Sequence, residues 1–448
     1  MSRYIIEQQK KPPEYLAWIA LILMTSNVYH TRLMMLFGLY TQMTTIVIQA
    51  GAVACFLVYL LWGKGLRLGQ VQLGVTDVLM ALSAAVILAA TVSWQDNLTY
   101  IIRYGVYVVM VILFRQDEKL VKIALRCLLA AGLLHILFTI WFRLDINFYL
   151  NHIYPSFTPA QQEQLFGQML YNGYSAGIAV HYSVNGMYMA ITLCCTYTWM
   201  LTGRKKGVPM LLFLINLLAL VMTGRRGAMV FAAFAMLWAY MLWGKQAFGN
   251  KMVRVLVGAA ACALVMYLLS FYIESAAAAF ARWEATLFGG ETIDISSGRF
   301  RLYRIAWELF LENPLTGIGW REFTNQMSGS GQLMDAHNVF LQLLCETGII
   351  GCGVFTALFA VTYGTTVIQV VRSRENPSNR GLLLFSLCYQ TFFLCYCMTG
   401  NPLYDHETLF AYILSVAAVG VTGRREAAAK FVPEEENGTN RIDHHTGL

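Results

Sequence analysis

The stretch Val208-Pro209-Met210-Leu211-Leu212-Phe213-Leu214-Ile215-Asn216-Leu217-Leu218-Ala219-Leu220-Val221-Met222 carries one polar side chain, Asn216, in its whole length. A helix at a water-facing surface would show a polar face, and a membrane-spanning strand would alternate apolar with polar residues over about ten positions. This run does neither. It is apolar all round, the pattern of a helix enclosed by lipid or by other apolar helices, and Leu382 to Met398 reads the same way.

Outward from this run, apolar stretches of about 15 to 23 residues recur from end to end, near the length that a bilayer core requires. The chain is 57% hydrophobic and 13% charged. The expected fold class is therefore all-α, a polytopic integral membrane protein, and a barrel is excluded. About 12 transmembrane helices are expected, over 15–29, 35–61, 75–93, 98–114, 120–142, 179–201, 208–223, 227–243, 253–273, 338–371 with a break near Gly348, 382–398 and 407–422.

Lys and Arg in the connections set the orientation. With the N-terminus in the cytoplasm, most of the 32 basic residues fall inside, among them Lys10, Lys11, Lys64, Arg115, Lys119, Arg204, Lys205, Lys206, Arg372 and Arg424. The short outer connections around residues 30, 95 and 402 hold only Arg32. An even number of spans returns the C-terminus to the cytoplasm, and the net charge of +7 is a topological signal, with no nucleic-acid partner implied. The first apolar run is expected to be a retained anchor, since no small-residue cleavage site follows it. All ten cysteines fall inside predicted helices as small apolar residues, so neither a disulfide nor a zinc site is expected.

The expected division is 1–178 (helices and a first outer loop from Arg143 to Ile178), 179–273 (helices), 274–337 (a large outer loop containing a helix), 338–423 (helices) and 424–448 (a polar, disordered cytoplasmic tail). Long loops usually carry function.

The run quoted above ends in Thr223-Gly224-Arg225-Arg226-Gly227, on the outer side, where the other short connections are nearly free of positive charge. Two arginines placed against the charge rule point to an anionic substrate. In the large loop, Ser296-Ser297-Gly298 supplies a helix start and Pro314 a stop, predicting a helix over 299–312. Arg301, Arg304, Glu308 and Glu312 form its polar face, while Arg299 shares the other face with Tyr303, Ala306 and Phe310. A guanidinium at the first turn, where backbone N–H groups are free, builds an anion site, although snorkelling to lipid phosphates would look the same in sequence.

Pro314-Leu315-Thr316-Gly317-Ile318-Gly319-Trp320 is a compact turn whose glycines allow close backbone approach. Asp335-Ala336-His337-Asn338 then opens a helix that Glu346-Thr347-Gly348 breaks. The positive end of that helix favours neutral imidazole at His337, the form a general base needs, and Asp335 opposes it. Together these residues define group transfer from a phosphate-linked donor. Arginines hold a diphosphate, His337 takes a proton from an incoming hydroxyl, and no carboxylate cluster calls for a metal, Glu291 and Asp294 being a sparse pair.

Three motifs resemble the O-antigen ligase and O-antigen polymerase superfamily of bacterial membrane glycan transferases. Thr223-Gly224-Arg225-Arg226-Gly227 is similar to that family's Thr-x-Ser-Arg-Gly turn, with Arg226 in the Arg position and Arg225 standing where a small residue is usual. Ser297-Gly298-Arg299, Trp307 and Asn313 to Gly319 resemble its loop helix and Gly-x-Gly turn; Ala336-His337-Asn338 through Leu341, Glu346, Gly348 and Gly351 resembles its most recognisable stretch. Asn185 resembles a family Asn at a span entrance.

The resemblance implies a polyprenyl-diphosphate-linked glycan donor (undecaprenyl in the family), a glycan, lipid or other hydroxyl acceptor, inversion at the anomeric carbon, and no metal or cofactor. It places the enzyme in the bacterial cytoplasmic membrane, multi-pass, with the site facing outward. His337, Arg226 and Arg299 are then the expected chemical groups, with Arg225, Arg301, Gly317, Gly319, Asn338 and Glu346 around the substrate. The competing expectation is a transporter or flippase of lipid-linked glycans. Against it, no acid sits mid-span as an ion relay, and the suspected site lies at the outer surface instead of the midplane.

Overall fold

The computed structural model describes residues 14–39, 42–64, 73–115, 117–179, 181–243, 246–272, 298–329, 334–373 and 379–430, with two isolated positions at 277 and 281. Among them there is no strand, and five helices are long and apolar enough to cross a membrane: Asn97–Phe114, Glu118–Leu144, Val339–Arg372, Arg380–Cys397 and His406–Gly423. Glu14–Thr25, Val47–Tyr59, Val75–Ala90, Gly207–Met222 and Arg226–Leu242 are shorter apolar helices. The run that opened the sequence reading is one of these.

In chain order the helices are α1 (Glu14–Thr25), α2 (Asn27–Leu36), α3 (Gln42–Lys64), α4 (Val75–Ala90), α5 (Trp94–Phe114), α6 (Glu118–Leu144), α7 (Ile146–Phe148), α8 (Pro159–Asn172), α9 (Tyr182–Thr202), α10 (Gly207–Met222), α11 (Arg226–Leu242), α12 (Phe248–Ser270), α13 (Arg299–Glu312), α14 (Glu322–Gly329), α15 (Val339–Arg372), α16 (Arg380–Cys397) and α17 (His406–Lys430). In α16 and α17, 78% and 83% of the spanning window is buried by protein, against 50%, 50% and 44% in α5, α6 and α15. The first pair is therefore the core of the bundle, and the others each keep an apolar side for lipid. α16 packs against α17, α11, α15 and α9, and α15 against α4, α16 and α13.

Several details depart from the sequence reading. The expected span over 15–29 is α1 followed by a second helix, α2, and the expected span over 35–61 starts later, at Gln42, because Gly38 at φ +66° ends α2. The segment expected as the first outer loop is itself helical. It folds as α7, a π-turn over Tyr149–Ile153, a 3-10 turn over Tyr154–Ser156 and α8, around Phe142, Tyr149, Phe157 and Leu165. Arg32 lies beneath it, 2% exposed, with its guanidinium 3.7 Å from the centre of the Phe157 ring. The one basic residue of the short outer connections thus turns into protein and away from solvent.

Helix α17 runs through Ala427-Ala428-Ala429 to Lys430, strong helix formers at the start of the tail expected to be disordered. Residues 431–448 lie outside the described residues, as do Glu291, Asp294, Ser296 and Ser297.

Candidate functional site

Helix α13 occupies the expected residues and begins on Gly298 in a left-handed conformation, with Leu302 and Ala306 buried. Arg299 is half-buried, while Arg301 and Arg304 are exposed. Leu302 and Ala306 pack with Phe323, Met327, Ala336 and Cys345, which seats α13 and α14 against the start of α15.

α15 opens as predicted. The Asn338 side chain accepts a hydrogen bond from Leu341 N at 3.1 Å as the helix cap, and its Nδ2 donates to the Met398 carbonyl at 3.3 Å. His337, one residue earlier, has φ +55°. Among the described residues only His337 and Arg321 are non-glycine residues with positive φ. Each costs about 1 kcal/mol or more, and such strain concentrates where a side chain must point in one direction.

The turn over 314–320 and the break in α15 are one unit. Gly348 lies at φ 64°, ψ −170°, so the helix cannot use the carbonyls on either side of the break. Those partners come from the turn: Ile318 N donates to Cys345 O at 2.9 Å, Gly319 N to Glu346 O at 3.0 Å, and Ile349 N to Pro314 O at 2.9 Å. A Cβ on Gly317 would lie 2.4 Å from the Glu346 carbonyl carbon, and one on Gly348 would lie 2.2 Å from that of Leu315. The close approach read from Gly317 is thus an approach to the chain's own backbone, while Gly319 makes room for the Glu322 and Val92 side chains.

Glu346 sits directly inside this junction, fully buried. Its two oxygens accept from Gln342 Nε2 at 2.8 Å and from the Tyr404 hydroxyl at 2.9 Å. Gln342 Oε1 accepts from Ala336 N at 3.1 Å and from Asn401 Nδ2. This network ties the segment carrying His337 to the connection over 398–405.

The Thr223–Gly227 turn approaches from the other side. Thr223 Oγ1 donates to the Leu220 carbonyl and accepts from Arg225 N, closing α10, and Arg226 is the first residue of α11. Gly224, at φ +64°, packs so tightly beneath Tyr174 that a Cβ would meet that ring at 2.0 Å. Arg225 then turns inward. Its Nε and Nη2 donate to the Tyr396 hydroxyl at 3.2 and 2.6 Å, and its guanidinium lies 5.8 Å from the centre of the Tyr182 ring.

These elements meet at His337. Burial lowers its pKa most, the positive charge of Arg299 lowers it further, Asp335 opposes, and Arg225 adds a last downward push. His337 is therefore neutral at neutral pH. His181, the cap of α9, has its pKa lowered to about 4 by burial, Arg225 and His337. Arg299, Arg225, His181 and Asp335 thus all lie within electrostatic reach of one imidazole. Asp335 is held by a 2.6 Å hydrogen bond from Thr324 Oγ1.

The charge of Arg225 reaches both histidines. Arg226, which the motif favoured, lies half-buried at the head of α11. Asn185 donates from Nδ2 to Thr139 Oγ1 at 2.8 Å and to the Ser175 carbonyl at 3.1 Å, holding the loop beside Tyr174.

Residues 211–356 match the family model described as O-antigen ligase. This segment carries an O-antigen ligase domain. No curated protein matches the chain. With five long apolar helices beside this segment, the chain is a multi-pass membrane protein.

The O-antigen ligase domain contains Arg225, Arg226, Arg299, the Gly317–Gly319 turn, His337 and Glu346. It leaves out His181 and Tyr396, which complete the surroundings of Arg225, and Asp405. Asp405 combines an exposed side chain with a pKa raised to about 7, by burial first and then by Glu407 and Asp335, while Arg225 and Arg321 oppose.

Arg321 lies 3.6 Å over the Tyr100 ring and within reach of Asp335 and Glu346. Tyr396, Asp405, Arg321 and His181 were missed in the sequence. Only Arg321 carried a signal there, a cation directly after the Gly-x-Gly turn.

Proposed function

We propose that the protein is a glycan transferase that moves a polyprenyl-diphosphate-linked oligo- or polysaccharide onto a hydroxyl acceptor at the outer face of the cytoplasmic membrane. The observation that supports this most is the convergence on neutral His337 of Arg299, from the loop helix, and Arg225, from the turn between α10 and α11, within the O-antigen ligase segment. In this reading the acceptor oxygen attacks the anomeric carbon as the bond from that carbon to the diphosphate oxygen breaks. The acceptor proton passes to His337, and the lipid diphosphate departs with its charge held by Arg299 and Arg225. Attack opposite the leaving group inverts the anomeric carbon. No step calls for a metal, because two guanidinium groups supply the electrostatic stabilisation a cation would give.

Arg226, at the N-terminus of α11, adds positive charge beside Arg225. Asn338 and Glu346 hold the His337 segment, Gly317 and Gly319 brace the helix break, and exposed Arg301 meets lipid or acceptor phosphates. About twelve spans with both termini in the cytoplasm and the loop over 274–337 outside bring this constellation to the outer membrane surface, where donor and acceptor meet. A growing glycan, a lipid core or another polymer each presents a suitable hydroxyl.

The test is a reconstituted assay with purified lipid-linked donor and a hydroxyl acceptor. Formation of a new glycosidic bond with release of lipid diphosphate is the expected result. Label that crosses the bilayer with no bond formed would overturn the reading in favour of transport.

A further inference from the structure

Away from the His337 cluster, two apolar hollows of about 330 and 320 Å³ lie among α1, α3 and α5. Both are lined by Met24, Val53, Leu57 and Val106, so they form one groove. It extends from Thr99 to Leu113 along α5, about 21 Å at 1.5 Å per residue.

The end of the groove nearer the start of α5 is polar. Gln49 Nε2 and Arg103 Nε, both lining it or on residues that line it, are buried and have no hydrogen-bond partner. Gln49 is roughly two turns into α3 and Arg103 roughly two and a half into α5, so the two donors sit at similar distances from the starts of their helices. Arg103 also lies 5.5 Å from the Tyr100 ring centre. Glu407 is an acidic neighbour whose charge reaches Arg103. Two unpaired donors at the head of an apolar groove in a bilayer are costly unless an oxygen-bearing ligand meets them.

We propose that this groove is a binding site for one anionic glycerophospholipid, with an acyl chain between α1, α3 and α5 and its phosphate and ester oxygens on Arg103 and Gln49. A bilayer phospholipid fits better than the glycan donor. A hollow of about 20 Å³, room for about one water, joins Arg103 to Tyr404 and Asp405. A hollow that small does not admit a diphosphate-linked glycan beside Arg103 from the Asp405 side. The proposal rests on the membrane setting and is independent of the glycan-transfer reading.

The test is native mass spectrometry of the delipidated full chain titrated with phosphatidylglycerol, phosphatidylcholine and polyprenyl phosphate. The expected result is one retained phosphatidylglycerol per chain, weaker binding of phosphatidylcholine, and about tenfold loss of phosphatidylglycerol affinity in Arg103→Gln. Val106→Trp, which fills the groove and leaves the polar head intact, should lose binding to a similar extent, and Gln49→Leu somewhat less. These two keep the test valid should Arg103→Gln fail to fold. Unchanged retention in Val106→Trp, no retained phosphatidylglycerol in the wild type, or polyprenyl phosphate displacing phosphatidylglycerol from the wild type would each overturn the proposal.

Discussion

The guanidinium of Arg225 donates two hydrogen bonds to a single acceptor, the hydroxyl of Tyr396, and so stands in one orientation between the turn and α16. A clamp for a diphosphate must be held before the ligand arrives, or binding pays for ordering it. Tyr396→Phe is expected to weaken donor binding about tenfold, the worth of a hydrogen bond to a charged group, with a smaller effect on turnover. Titration of lipid-linked donor into the purified variant checks this; unchanged affinity refutes the positioning role.

The adjacent arginines are expected to behave differently. An ammonium cannot reproduce the planar fork that spans Tyr396 and a phosphate. Arg225→Lys should cost at least as much glycan transfer as Arg226→Lys, both measured on protein confirmed to be inserted. A severe loss confined to Arg226→Lys would return the clamp to the residue that the motif favours.

His337→Ala should lower turnover by about 10²- to 10⁴-fold while donor still binds. The active form of His337 is neutral, so activity falls on the acid side, through a pKa lying below the ordinary 6.5. Arg299→Gln removes a positive neighbour and should move that acid limb upward in pH, whereas Asp335→Asn removes a negative one and should move it downward. Opposite shifts in the kcat/KM profiles are the signature. A limb unmoved by either change excludes His337 as the base.

Asp405 makes a prediction about stability. Its folded pKa of about 7 exceeds the ordinary aspartate value of 3.8, so the folded protein binds the extra proton. Stability from this group is therefore present at low pH and is lost as pH rises through that window. Asp405→Asn should leave Tm nearly unchanged at about pH 4 and raise it relative to wild type above about pH 7. Equal Tm differences at both ends would show that the carboxyl does not titrate in this range.

Gly348→Ala adds a Cβ where the Leu315 carbonyl carbon already stands and forces a side chain into positive φ. A loss on the order of 3 kcal/mol or more is expected from clash and strain together, read as a markedly lower Tm or loss of folded protein. Gly353→Ala, in the same helix with nothing within 4 Å of the new atom, is the control and should be nearly neutral.

The apolar runs, the helix over 299–312, the opening of α15 at Asn338 and its break at Gly348 were all legible in the chain, because each depends on residues within a few positions of one another. The first outer loop was harder. Its short helical pieces gain their apolar contacts only by packing on Phe142, which no local pattern shows. Two adjacent arginines in a turn look equivalent until Tyr396, some 170 positions later, accepts from one of them. Gly317 and Gly319 announced a close approach but not its partner. Asp405 looked like an ordinary loop acid, since its neighbours Arg225, Arg321 and Asp335 come from three distant segments.

The pairing of the 314–320 turn with the broken backbone of α15 bears on how such proteins can be recombined. The interrupted helix survives because the 314–320 turn supplies the missing partners, so turn and helix form one indivisible part. Grafting the loop of a relative onto this bundle, to exchange acceptor preference, has to carry the stretch from Cys345 to Ile349 along with it. The unit of exchange is then the loop together with the first third of α15, and any smaller cassette would leave bare backbone facing lipid.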